Sequence, residues 1–213
     1  MTYKLYWTLN SGALGPHLLL EEAGLPYEIV SIDFRKGENR TPEYLAINPI
    51  GYVPALQSED GEVIYETAAI MMHLAEKHGL DQYVPLFHDP ARGNFLKQLF
   101  FMTASVQYLF HIVYNPARYC GEGNSPEPAT ARANELVIER WQVFDDTLRE
   151  RGPFFLGERY SMLDLFAAMM ATWAPLEKLL ETYPAYAKNF ASIVNRPAIK
   201  KILAEHELNL PTS

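Results

Sequence analysis

The sequence predicts an α/β domain over residues 1–80, an all-α helical domain over residues 91–213 and a linker at 81–90. Three observations carry that division. Strand-like and helix-like runs alternate in the first part, whereas the second reads as helical nearly throughout. Gly79 to Pro90 holds two prolines and little periodicity. The charge also shifts: residues 1–80 carry five basic and eleven acidic side chains, residues 81–213 thirteen and fifteen.

The first part has the order βαβ, a short helix, then ββα. Tyr3-Lys4-Leu5-Tyr6-Trp7-Thr8 is rich in aromatic and β-favouring residues and ends at the turn cluster Asn10-Ser11-Gly12. Leu14 to Ala23 reads as a helix, with Pro16 tolerated in its first turn and Gly24 as its stop. Tyr27 to Ile32 is a second strand. Thr41-Pro42-Glu43-Tyr44-Leu45-Ala46 opens a short helix with a capped proline. Val53 to Gln57 and Val63 to Tyr65 form strands joined by the hairpin turn Glu59-Asp60-Gly61, and Thr67 is placed to cap a helix running to about His78. In the second part, helices are expected over Arg92 to Tyr114, Ala129 to Arg151, from Ser161 onward, over Pro184 to Asn195 and over Pro197 to Glu207, with a loop at Gly121 to Pro128. Ser161-Met162-Leu163-Asp164 has the Ser-x-x-acid form of a capping box.

Composition excludes several classes of function. A net charge of −8 disfavours nucleic acid and anionic membranes as partners, since both need a basic face. With 48% hydrophobic residues the chain has material for a sizeable core. No apolar run reaches the ~18 residues of a bilayer-spanning helix. The N-terminus reads as a strand, not a signal peptide, so a cytoplasmic protein is expected. Cys120, the one cysteine, excludes an internal disulfide, a CxxC redox pair and a multi-cysteine zinc site. Histidines 73, 78 and 88 have no metal-ligand spacing, and no metal is expected.

Asn48-Pro49-Ile50-Gly51-Tyr52-Val53-Pro54-Ala55-Leu56 followed by Glu66-Thr67-Ala68-Ala69-Ile70, with the Ser161 to Asp164 box in the helical half, resembles the soluble glutathione transferase family over nearly the whole chain. The resemblance implies a thioredoxin-like first domain, glutathione as co-substrate and a homodimer. It implies a cis bond before Pro54, so that the backbone N–H and C=O of Val53 pair with the cysteinyl unit of the tripeptide like a short antiparallel strand. Gly51 lets the chain approach closely. The helix tip at Thr67 suits the γ-glutamyl carboxylate and Glu66 its ammonium. Arg35 or Lys36, after the second strand, would meet the glycine carboxylate.

The thiol must be activated, because the thiolate is the nucleophile. The resemblance offers three donor types. The tyrosine-type position falls on Trp7, and Tyr6 points to the opposite face of its strand. The cysteine of the bacterial type falls on Gly12. The serine-type position falls on Ser11, just before a helix N-terminus, which makes Ser11 the expected catalytic residue with Thr8 and Asn10 as alternatives. Asp164 is expected to cap its helix, and no reactivity is assigned to Cys120. Phe100, Phe101, Tyr108, Phe110, His111 and Tyr114 crowd one helix, and with Trp173 they offer walls for a small hydrophobic electrophile. The implied reaction is conjugation of glutathione to that electrophile. Glutathione binding without turnover, or a glutathione-dependent isomerase or disulfide reductase, are the alternatives.

Overall fold

The computed structural model describes residues 2–210, which divide into two compact units. The first runs to Val84 and takes up the chain again from Ile193; the second is Pro85–Ser192. The division between Val84 and Pro85 lies within the linker read from sequence. Residues 193–210, read there with the helical half, instead belong to the first unit, where the last helix packs on the first.

In the first unit the order is β1 (Tyr3–Trp7), α1 (Leu14–Glu22), β2 (Tyr27–Ser31), α2 (Pro42–Ile47), β3 (Ala55–Gln57), β4 (Val63–Tyr65) and α3 (Thr67–Lys77). The strands form one mixed sheet in the order β2-β1-β3-β4. β1 and β2 are parallel, with Leu5 opposite Ile29; β1 and β3 are antiparallel, with Leu5 opposite Leu56; β3 and β4 form the hairpin, with Leu56 opposite Ile64. Side chains alternate along β1. Tyr6 joins Ile32, Tyr44 and Ala55 in a buried cluster under α2, while Trp7 meets His17 of α1 on the other face. Leu5, Leu14, Leu18, Ile70, Met71 and Leu74 are fully buried. This is the thioredoxin-like arrangement expected from the sequence.

The second unit is helical: α4 (Arg92–Phe100), a π-helical segment (Phe101–Gln107), α5 (Tyr108–Tyr114), α6 (Glu127–Arg151), α7 (Met162–Ala171), α8 (Leu176–Thr182) and α9 (Pro184–Val194), whose end marks the boundary. α10 (Pro197–Glu205) then returns to the first unit. The stretch read as one helix over 92–114 is continuous, but its middle is wound more widely. α8 was not foreseen. Every residue of α7 is buried, as an apolar helix without a polar face must be. The capping box is closed: Ser161 Oγ accepts from Leu163 N–H at 3.3 Å, and Asp164 Oδ2 accepts from Ser161 N–H at 2.9 Å. Asp164 Oδ1 also accepts from Phe155 N–H and Asn189 Nδ2, so this carboxylate ties three chain segments together.

Candidate functional site

β1 ends in a tight turn. Asn10 has φ 51°, a left-handed conformation that asparagine tolerates. The Ser11 hydroxyl donates to the Thr8 carbonyl at 2.7 Å and accepts from the Ala13 N–H at 3.3 Å. Ser11 therefore organises the turn that feeds α1. Gly12 follows at a point of close approach. A β-carbon built there would lie 2.6 Å from Thr67 Oγ1, 3.2 Å from Pro54 Cδ and 3.8 Å from the Val53 carbonyl oxygen. A side chain at position 12, where the bacterial pattern has cysteine, would require the Thr67 hydroxyl to shift. The same distances show that Gly12, Val53, Pro54 and Thr67 converge.

The Val53–Pro54 peptide is cis, as the resemblance implied. The stretch leading into it is held by side chains from the α2 region. Arg40 donates to the Ile50 carbonyl at 2.9 Å, Asn39 to the Gly51 carbonyl at 2.9 Å, and Tyr44 and Asn48 both donate to the Tyr52 carbonyl, at 2.6 and 2.9 Å. Gly51 has φ +69°, and a β-carbon there would lie 2.6 Å from the Asn39 carbonyl oxygen, so its glycine is required twice over.

Thr67 is the first residue of α3 and is buried; the N-cap position belongs to Glu66. The Thr67 hydroxyl donates to the Gly12 carbonyl at 3.1 Å, tying the helix tip to the β1–α1 turn. The expected side-chain cap on α3 is thus replaced by a cross-link, and Glu66 makes no side-chain cap either. Glu66 is exposed, with φ 76° and ψ 118°. A non-glycine residue in that region carries strain of about 1–3 kcal/mol. Glu66 is thus a charged side chain on a strained backbone at a helix tip, a conformation that sequence patterns do not reveal.

Lys36 lies in a turn of its own, 73% exposed and paired with Asp33 at 3.5 Å. Arg40 is the basic residue seated against the stretch before Val53, and sequence reading passed over it. Trp7, at the tyrosine-type position, is not a donor into this region: its ring packs edge-on against His17 and His206.

In the second unit the aromatic run divides. The half-buried Phe101 packs on the buried Phe144, and the buried Phe110 on the half-buried Trp173. Phe100, Tyr108 and Tyr114 are exposed, and Tyr108 lies beside His111 and Tyr119. The Tyr114 hydroxyl donates to the Trp173 carbonyl at 2.7 Å. Cys120 donates to the Pro116 carbonyl. Among the described residues no group of three or more His, Cys, Asp or Glu side chains is placed to hold a metal, and no helix is long and apolar enough to cross a membrane.

Residues 1–76 match the family model for the glutathione S-transferase N-terminal domain. The chain is 30% identical over 205 residues to the disulfide-bond oxidoreductase YfcG of Escherichia coli, covering 90% of this chain and 89% of that one. It belongs to the glutathione S-transferase family. Among solved structures it resembles a glutathione transferase homolog from Sulfitobacter with bound glutathione, at 27% identity and a TM-score of 0.86, covering 97% of this chain and 99% of that one. It also resembles the glutathione transferase URE2P6 of Phanerochaete chrysosporium in complex with oxidized glutathione, at 25% identity and a TM-score of 0.84, covering 96% of each chain. Members of this family with glutathione in place thus share the fold of this chain.

Proposed function

We propose that this protein binds glutathione against Val53, Pro54, Glu66 and Thr67 and delivers its thiolate to a small hydrophobic electrophile. The observation that supports this reading most is the convergence of Gly12, Val53, Pro54 and Thr67, which brings a strand edge and a helix tip together. The Val53 N–H and C=O form the strand edge for the cysteinyl unit. The first N–H groups of α3 have no partner within the helix, and with the helix dipole they suit the γ-glutamyl carboxylate. Glu66 holds the ammonium beside it. Arg40, which makes no ion pair among the described residues, is the stronger partner for the glycine carboxylate; Lys36 already has Asp33.

Ser11 is the proposed thiolate donor. Its hydroxyl proton must leave the Thr8 carbonyl for the sulfur, exchanging a neutral acceptor for a charged one, which makes the stronger hydrogen bond. The N-terminus of α1 adds favourable potential. Attack then forms the carbon–sulfur bond and expels the leaving group. Tyr108 and His111, with Tyr114, are proposed to offer the apolar surface for the electrophile, and a homodimeric, cytoplasmic protein is proposed from the family.

A second reading has its own support: the relative named as a disulfide-bond oxidoreductase, and the neighbour holding oxidized glutathione. With Cys120 in a turn of the second unit, the reductant would be glutathione itself. Two glutathione thiols would give two electrons and two protons to a disulfide, yielding two thiols and oxidized glutathione.

The test combines calorimetry with reduced glutathione, the thiol pKa of the complex from thiolate absorbance, and turnover of a chloronitrobenzene against a mixed disulfide. Binding with a depressed thiol pKa that rises in Ser11→Ala is expected. A rise in Asn10→Ala and none in Ser11→Ala would transfer the role to Asn10. No binding at millimolar glutathione would end the reading.

A further inference from the structure

The Tyr52 carbonyl is unusual in holding two side-chain donors, and it belongs to the same peptide unit as the Val53 N–H. Tyr44 Oη lies 2.6 Å and Asn48 Nδ2 2.9 Å from this oxygen. Two donors occupy both of its lone pairs. The Tyr52–Val53 bond is not among the cis bonds of the chain. In a planar trans peptide the N–H points opposite to the C=O, so fixing the oxygen from two directions fixes the direction of the N–H. Hydrogen bonds to the carbonyl also polarise the peptide and strengthen its N–H as a donor, by ~10–30% per bond.

The surroundings make the arrangement rigid. Tyr44 is 3% exposed and packs against Tyr6, and burial pushes its hydroxyl well above the usual tyrosine range, so it stays a donor. Asn48 is 3% exposed, and its Oδ1 accepts from the Ile50 N–H at 3.2 Å; that bond assigns the amide, leaving Nδ2 for Tyr52. The two preceding carbonyls are held by Asn39 and Arg40. Every carbonyl from Ile50 to Tyr52 is thus secured from the α2 side.

We infer that Tyr44 and Asn48 are positioning residues that aim the Val53 N–H at the cysteinyl carbonyl of glutathione. They act through the Tyr52–Val53 peptide and do not touch the ligand. The inference rests on the glutathione-binding reading above, with Val53 as its strand edge. It adds two residues of the α2 region that contribute to affinity from behind the binding surface.

The experiment uses the full chain with reduced glutathione as titrant, in Tyr44→Phe and, in parallel, Asn48→Ala. Tyr44→Phe keeps the ring in its buried site and deletes only the hydroxyl. Loss of one hydrogen bond to the controlling carbonyl is expected to weaken glutathione binding about three- to tenfold. With a chloronitrobenzene as probe, KM for glutathione should rise by the same factor while kcat stays within about twofold, a split that loss of folded protein does not produce. In the free protein the Val53 amide proton and nitrogen resonances should shift in both variants, whereas amides of β4 should not. Unchanged affinity together with an unmoved Val53 amide in whichever variant folds would overturn the inference. Wild-type protein that takes up no glutathione would instead defeat the underlying reading, so the two failures are separable.

Discussion

Acidification should destabilise the packing of α10 on α1 through two buried histidines. His17 of α1 and His206, just after α10, are both fully buried, with His17 Nδ1 3.1 Å from His206 Nε2. The hydrogen-bond chain sets their tautomers. The Tyr27 hydroxyl donates to Glu21 Oε2 at 2.8 Å, so His17 Nε2, 3.0 Å from that hydroxyl, must be the donor to it. His17 Nδ1 is then an acceptor and takes the proton of His206 Nε2. His206 Nδ1 is left bare and buried, with no hydrogen-bond partner. The groups facing the pair are Glu21 on α1, Tyr27 on β2, Trp7 on β1, and Lys201 and Glu205 on α10, with Glu205 3.6 Å from His17 Nε2.

Burial dominates this balance. It lowers His17 to about 4, against a smaller upward pull from Glu21 and a further downward push from Lys201, and it lowers His206 to about 3, with His17 pushing the same way. Both histidines start from 6.5 in the unfolded chain, so the unfolded state binds more protons as pH falls. Stability is therefore whole above 6.5 and is lost as pH drops toward 4 and 3. Between pH 7 and pH 5 each histidine costs about 2 kcal/mol, and the pair about 4 kcal/mol. The assay is urea unfolding at pH 7 and pH 5 for wild type and His17→Gln/His206→Gln. The double variant is expected to be weaker at pH 7, yet to lose about 4 kcal/mol less than wild type on acidification. Equal losses in the two proteins would refute the burial argument. Nitrogen shifts of the imidazoles should report Nε2–H for both rings at pH 7; an Nδ1–H tautomer at either would refute the chain of donors.

Three further outcomes are expected. Gly12→Ala should lose about 1–3 kcal/mol of stability from overpacking against Thr67 and Pro54, and glutathione binding with it; a melting point equal to wild type would show that the approach is not tight. Glu66→Gly should raise stability by about 1 kcal/mol by relieving its positive φ while weakening glutathione at least tenfold, and a variant that melts higher but binds equally well would remove Glu66 from the site. Asp164→Asn should cost about 2–4 kcal/mol at pH 7, because an amide cannot accept from Ser161, Phe155 and Asn189 together. Burial raises the Asp164 carboxyl to about 6, against hydrogen bonds from Asn189, Ser161 and Phe155 that pull it down. The folded state thus gains a proton there before the unfolded state does, and wild type should recover stability relative to the variant as pH falls from 7 to 5; a widening gap would contradict that sign.

The linear chain by itself determined the βαβ–α–ββα order of the first unit, the start of a helix at Thr67 and the capping box at Ser161, because each rests on neighbouring residues with local steric or hydrogen-bonding preferences, while the cis bond before Pro54 came from the family resemblance. It also placed Tyr6 and Trp7 on opposite faces, since a strand alternates. Tertiary structure alone decided the rest. Thr67, 55 positions away, comes to occupy the space that a side chain at Gly12 would need. Ser11 spends its hydroxyl on Thr8, Arg40 comes to the Ile50 carbonyl, and Glu66 takes a strained backbone, none of which a pattern of residue types encodes. The tail from Ile193 joins the first unit because His206 and α10 complete a buried contact with α1. Periodicity reports which face of a helix is apolar, but the partner that covers it is chosen by shape and hydrogen-bond complementarity among residues distant in sequence.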